Sequence, residues 1–416
     1  MVTTDTHHTI EAVWRIESPR LIAALIRVVR DIDFAEELAQ DALVTALERW
    51  PSSGVPDNPG AWLMTTAKNR AIDLLRRRQL IERKHAVLDA DYEPFVMPNF
   101  DALDDEIGDD LLRLIFIACH PVLSTEAQIA LTLRLLGGLT TDEIARAFLT
   151  SEPTVAQRIV RAKRTLAEKQ VPYEVPRGEE LTTRLTAVLG VIYLIFNEGY
   201  AATAGDHWMR PALCEDALRL GRVLAELTPR EPEVHGLVAL MEIQASRTRA
   251  RTAPSGEPVL LLEQNRALWD QLLIHRGLAA LERAGKLGGA NAPYALQAAI
   301  AACHARAVTA EATDWSHIAT LYATLTRVAP SPIVELNRAV AVSMADGPAA
   351  GLALVDALRD EPVLANYHLL PAVRGDLLAK LDRESEARIE FERAASLTRN
   401  ERERALMLER ANACKR

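Results

Sequence analysis

Trp62, Asn69, Asp73 and Arg76 follow one another at intervals of seven, four and three residues. On a helix those steps keep them on one side, with Arg70 and Arg77 close by. Leu63, Ala67, Ala71 and Leu74 would form the opposite, packing side. One face thus offers an aromatic ring for stacking, an amide for base edges and guanidinium groups for phosphates. Taken alone, the stretch also fits a solvated basic helix around a core tryptophan.

A second set lies further along. Thr154, Gln157, Arg158 and Arg161 share one side of a basic helix, with Lys163 and Arg164 next to them. They follow a short helix over Thr141–Phe148 that Thr140 or Thr141 would cap. Ala145 would permit close crossing, and Ile144, Val155 and Ile159 would pack the pair as a helix-turn-helix. Gln157, Thr154 and the two arginines would face a major groove, and Lys163 and Arg164 the phosphates. The left-handed turn position, commonly glycine, falls on Leu149, which predicts strain or a shifted turn.

The third set is acidic. Asp33, Glu37 and Asp41 make a four-residue row beside an apolar stripe, with Glu36 and Gln40 adjoining. Such a face would repel nucleic acid, so it suits a basic protein partner.

Helical periodicity positions all three sets, and no segment sustains period-two alternation. The spacing predicts helices over about 10–30, 33–50, 58–84, 109–119, 124–136, 141–148, 153–169 and 181–197. In the second helix Phe34, Leu38, Leu43, Leu47 and Trp50 are the expected core positions. Pro51–Asp57 reads as a loop, with Asn58 as an N-cap and Pro59 in the first turn. From Asp89 to Asp110 there are nine acidic residues and no Lys or Arg, predicting an extended tether. Gly60–Lys84 holds seven basic and two acidic residues, so the net charge of −9 hides a strong segregation.

The chain of 416 residues, 49% hydrophobic and 25% charged, suits two or three globular domains. Its longest uncharged apolar run, Ala187–Phe196, is about half of a membrane span, and the first residues lack signal-peptide character. No membrane association and a cytoplasmic location are expected. Cys119, Cys214, Cys303 and Cys414 lie far apart, arguing against a disulfide framework. Cys119-His120 and Cys303-His304 read as helix residues, not metal sites. With no phosphate-binding glycine loop, zinc-protease helix or nucleophile elbow, no enzyme activity and no cofactor are expected.

In that order, an acidic helix, a loop, an Asn- and Arg-rich helix, an acidic tether and a basic helix-turn-helix closely resemble extracytoplasmic-function (ECF) sigma factors. The resemblance implies an all-α fold: a sigma-2 domain over 1–85, an acidic linker over 86–107 and a sigma-4 helix-turn-helix domain over 108–170. Its partners would be core RNA polymerase, through clamp and flap, and promoter DNA. By position, Asp33, Glu36, Glu37, Gln40 and Asp41 would meet the clamp. The loop from Ser52 to Asn58, with Gly54, Asp57 and Asn58, would hold a base flipped from the −10 strand. Trp62, Asn69, Arg70, Asp73, Arg76 and Arg77 would support the melted strand. Thr154, Gln157, Arg158 and Arg161 would read the −35 duplex, with Lys163 and Arg164 near its phosphates.

Residues 180–416 carry a weak internal repeat. Gly375, Ala387, Phe391 and Ala394 have tetratricopeptide-like spacing, and Ala339 and Gly351 sit 36 residues before the first two. Val191–Tyr200, ending Asn197-Glu198-Gly199-Tyr200, is similar to the start of the domain in sigma factors carrying a tetratricopeptide-like extension. Read by itself, Asn197-Glu198-Gly199 is a helix C-cap. A regulatory protein or ligand would act on these repeats. The alternative is a helix-turn-helix regulator with a repeat-type sensor domain that never joins polymerase, a reading that leaves the Trp62/Asn69/Asp73/Arg76 row unexplained.

Overall fold

The computed structural model describes residues 2–86, 107–148, 150–202, 204–205, 208–254 and 257–414. The predicted tether and Leu149 lie outside the described residues, apart from the tether's last four positions. The chain is built from helices and divides into two compact units, Met1–Val191 and Ile192–Arg416. Among the described residues no helix is long and apolar enough to cross a membrane.

The first unit holds α1 (Val2–Val29), α2 (Ile32–Ser53), α3 (Pro59–Ala86), α4 (Ile107–Ala118), α5 (Thr125–Leu135), α6 (Thr141–Ala147) and α7 (Glu152–Glu168). It also holds the first turns of α8 (Glu179–Tyr200). Its boundaries follow local chemistry. Asp31 caps α2 by accepting from the Phe34 N–H at 2.9 Å, and Asn58 caps α3 by accepting from the Ala61 N–H at 3.0 Å. α1 carries the central core run from Leu21 to Ile26, against which α2, α3 and α4 pack.

Two expectations about α2 need correction. Its buried face is mostly alanine: Ala35, Ala39, Ala42 and Ala46 join Leu38 and Trp50, whereas Leu47 is exposed and Phe34 and Leu43 are half-buried. Alanines on this face let neighbouring helices approach closely, so Phe34, Leu43 and Leu47 lie on its flanks. The helix also continues through Pro51 to Ser53, so the loop is shorter than predicted. The Ser52 and Ser53 hydroxyls donate to the Arg49 carbonyl, satisfying part of a last turn that Pro51 deprives of an N–H.

In the second unit come α9 (Pro211–Leu227), α10 (Pro232–Ala245), α11 (Gln271–Lys286), α12 (Pro293–Arg306), α13 (Trp315–Val328), α14 (Pro332–Asp346) and α15 (Pro348–Ala357). They are followed by α16 (Leu369–Ala379), α17 (Glu384–Leu397) and α18 (Glu401–Ala413). α9, α10, α12, α14 and α15 all open on proline, whose fixed φ suits a first turn and whose missing N–H costs nothing there. Successive helices pack against one another. Small residues set the close approaches: a Cβ on Gly351 would lie 2.4 Å from Ser343 Cβ, and one on Gly375 would press on the Phe391 ring at 3.0 Å. To the all-α expectation the structure adds β1 (Ala204–Gly205) and β2 (Arg399–Asn400), a two-residue parallel pair. Asn400 is fully buried there and donates to the Ala202 carbonyl at 3.0 Å.

Candidate nucleic-acid interface

α3 is two-faced as the spacing requires, with one shift. Leu63, Ala67, Ala71 and Leu75 are buried, and Leu74, placed in the core by sequence, is only half-buried. Strict four-residue steps from Leu63 lead to Leu75. Asn69, Arg70, Asp73, Arg76 and Arg77 are exposed. Trp62 is half-buried, its ring edge-on to the buried Trp50 ring with centroids 5.2 Å apart. The indole is thus held rigidly while part of it stays accessible. Before α3, the exposed Gly54 adopts φ +82°, a conformation costly for any residue with a Cβ, and Asp57 and Asn58 are exposed in the same turn. Arg70 is tied to α2, its Nε donating to Asp41 Oδ2 at 2.7 Å, so Asp41 and Arg70 serve each other.

The α6–α7 pair has helix-turn-helix form. Thr140 and Glu143 make a capping box, and Ser151 caps α7. Ile144, Val155 and Ile159 are buried between the helices, and the Thr141 hydroxyl donates to Glu152 at 3.0 Å. Gln157, Arg161 and Arg164 are exposed, Thr154 and Arg158 half-buried. Arg164 reaches Glu168 at 3.3 Å, a surface pair worth little. Lys163 is placed elsewhere: it lies on the inward side of α7 near Ile159, with its side chain 10% exposed.

Lys163 meets the acidic row of α2. Its Nζ lies 2.7 Å from Asp33 Oδ1 and 2.7 Å from Glu36 Oε2. Arg134 of α5 donates to the other oxygen of Glu36 at 2.6 Å, and Gln40 donates to that oxygen at 3.1 Å. Burial by itself would depress the Lys163 ammonium, but Glu36 and Asp33 outweigh it and hold its pKa above the ordinary lysine value. The five residues assigned to a polymerase face therefore differ in availability: Glu37 and Gln40 are exposed, Asp33 is exposed but engaged, Asp41 holds Arg70, and Glu36 is buried.

Sequence reasoning missed the rest of this contact. Arg15 of α1 reaches Glu143 at 3.1 Å, and Arg27 reaches Asp110 at 2.8 Å. Asp110, counted with the acidic tether, is fully buried in α4 and also holds Arg113 at 2.6 Å. The Tyr173 hydroxyl lies within hydrogen-bonding reach of the Ala23 carbonyl (2.7 Å) and the Asp110 carbonyl (3.0 Å), and Arg184 donates to the Phe116 carbonyl at 2.9 Å. The only hint was an arginine, Arg134, set between Leu133 and Leu135.

Residues 14–81, spanning most of α1–α3, match Sigma-70 region 2, and residues 113–166, spanning α4–α7, match Sigma-70, region 4. The chain belongs to the sigma-70 family. Residues 184–285 of this sigma-70 family member match a family of unknown function, DUF6596. An uncharacterized protein of Rhizobium meliloti, R00370, is 44% identical over 392 residues, covering 93% of this chain and 91% of its own. The ECF RNA polymerase sigma factor SigK of Mycobacterium ulcerans is 28% identical over 155 residues, 35% of this chain and 78% of that one. The probable ECF RNA polymerase sigma factor SigI of Mycobacterium tuberculosis is 26% identical over 183 residues, 43% and 61%. No solved structure gives a significant match.

Proposed function

We propose that the chain is an ECF-type sigma factor that joins core RNA polymerase and directs initiation at promoters with −10 and −35 elements. The observation that carries this reading is the pairing, in one unit, of the exposed α3 row with a helix-turn-helix whose Gln157 and Arg161 are exposed. Asn69, Asp73, Arg76 and Arg77, with Trp62 and the Gly54–Asn58 turn, would hold the melted −10 strand. Thr154, Gln157, Arg158 and Arg161 would read the −35 duplex, with Arg164 at a phosphate. Glu37 and Gln40 would be the first clamp contacts, with Asp33, Glu36 and Asp41 joining once their present partners let go. The tetratricopeptide-like second unit would modulate this activity.

The alternative, a helix-turn-helix regulator outside polymerase, leaves the α3 row and the region 2 match without a role. Run-off transcription with bacterial core polymerase tests the choice, using full length and residues 1–191. Ending at 170 would remove Tyr173 and Arg184, which tie into the first unit. A specific transcript from either protein supports the sigma reading. Neither transcript nor core binding from both leaves the regulator as the better account.

A further inference from the structure

The segment Val191–Tyr200 has no role in the promoter and polymerase contacts proposed above. Its Asn197-Glu198-Gly199 lies in the last turn of α8, which ends at Tyr200. Tyr193, Phe196, Asn197 and Tyr200 line a cavity of about 270 Å³ lying wholly within the second unit. That volume is near the lower end of small-molecule sites, so an occupant must be compact.

The charge balance of the lining is one-sided. It contains no Asp or Glu and one permanent cation, Arg247, two residues past the end of α10. Arg247 donates to the Tyr200 hydroxyl and to Gln244 Oε1, and its guanidinium lies 5.7 Å from the Tyr200 ring and 5.8 Å from the Trp269 ring. It makes no ion pair among the described residues. Two further arginines stand behind the lining in the same condition. Arg251, 6% exposed, donates to the Tyr200 carbonyl, and Arg266 donates to the carbonyls of His304 and Ala307. The acid that acts on Arg266, Glu311, is exposed and outside the lining. Half-buried cations without carboxylate partners are costly, and an entering anion would relieve that cost.

The remaining polar groups are neutral. His304 lines the cavity at 8% exposure, and its Nδ1 has no hydrogen-bond partner among the described residues. Burial, with the charges of Arg247 and Arg266, lowers its pKa to about 4, so the ring is uncharged near neutral pH. Asn197 and Gln297 add amides, Gln297 accepting from the Tyr193 hydroxyl at 3.3 Å. Phe196 and Tyr200 stack, with centroids 5.7 Å apart and 16° between planes, and add aromatic surface to the lining. One cation with two donors already committed suits a singly charged group better than a dianion.

We propose that this cavity binds a small organic carboxylate on a compact apolar body, with Arg247 as its counter-ion and Asn197, Gln297 and His304 as neutral hydrogen-bonding partners. The proposal does not depend on the sigma-factor reading, and its test needs no polymerase. Full-length protein is titrated with benzoate, benzamide and benzamidine, which share a shape and carry negative, zero and positive charge. Tryptophan fluorescence and melting temperature are followed, since Trp269 lies beside Arg247 and Trp315 is edge-on to His304 at 5.1 Å. Benzoate should bind saturably and raise the melting temperature, benzamide at least tenfold more weakly, and benzamidine not at all. Arg247→Gln should abolish the benzoate response, and Gln297→Glu should shift preference towards benzamidine. Equal binding of the three, no saturable benzoate binding, or an unaltered response in folded Arg247→Gln would overturn the proposal. If Arg247→Gln fails to fold, Gln297→Glu decides: an unchanged preference for benzoate overturns it.

Discussion

Lys163 Nζ lies 2.7 Å from Glu36 Oε2, so a residue of the helix-turn-helix closes over the acidic row of α2. Both side chains are nearly out of solvent, at 10% and 9% exposure. In that setting loss of one partner strands the other charge. Part of the acidic row, Asp33 and Glu36, is thus occupied by the chain's own cations, Lys163 and Arg134.

Lys163→Glu should therefore loosen the first unit by about 2 kcal/mol and strengthen association with core polymerase. Fluorescence anisotropy of labelled protein against core checks this. A phosphate contact at Lys163 would instead weaken promoter binding and leave core affinity unchanged.

Asn69→Ala and Arg76→Ala should abolish promoter opening while core binding persists, because both side chains are exposed on α3 and neither packs in the core. Permanganate footprinting of the −10 region, alongside core pull-down, separates the two effects. Equal loss of core binding would remove these residues from the strand-holding role.

Tyr173→Phe should destabilise the first unit by about 1 kcal/mol, since the Ala23 and Asp110 carbonyls lose one shared hydroxyl. Chemical denaturation of residues 1–191 measures it. No change in midpoint would mean that water replaces the hydroxyl at no cost.

His304 sets a pH dependence in the second unit. Its folded pKa, about 4, lies below the ordinary imidazole value of 6.5. Between those values the unfolded chain binds the extra proton, so stability falls as pH drops from about 6.5 towards about 4, by roughly 3 kcal/mol at most. His304→Gln should flatten that slope in melting curves from pH 4.5 to 7. Parallel slopes for both proteins would show that His304 carries none of it.

Two helix starts were legible because their capping groups are local: Asn58 and Thr140 each accept from an N–H three residues further on. The α3 face was legible for the same reason, since periodicity fixes sides without tertiary knowledge. The buried face of α2 was not, because its packing rests on alanines that a search for large apolar residues passes over. Glu36 could not be told from Glu37 by type, and only Lys163 and Arg134, 127 and 98 residues away, make it a buried ion. The Arg247 cavity was equally hidden, its lining spread over helices from α8 to α14.

The pairing of Ala204–Gly205 with Arg399–Asn400 joins the beginning of the second unit to nearly its last helix. A simple stack of helices can form turn by turn as it is made, whereas this one has a clasp whose second half is synthesised last. At about 5–20 residues per second, roughly 10–40 s separate the emergence of Val191 from that of Asn400. During that interval the first unit has all its residues and the second cannot yet close. Each new molecule would pass through a period in which its amino-terminal unit is complete in sequence while its carboxyl-terminal unit still lacks half of its clasp.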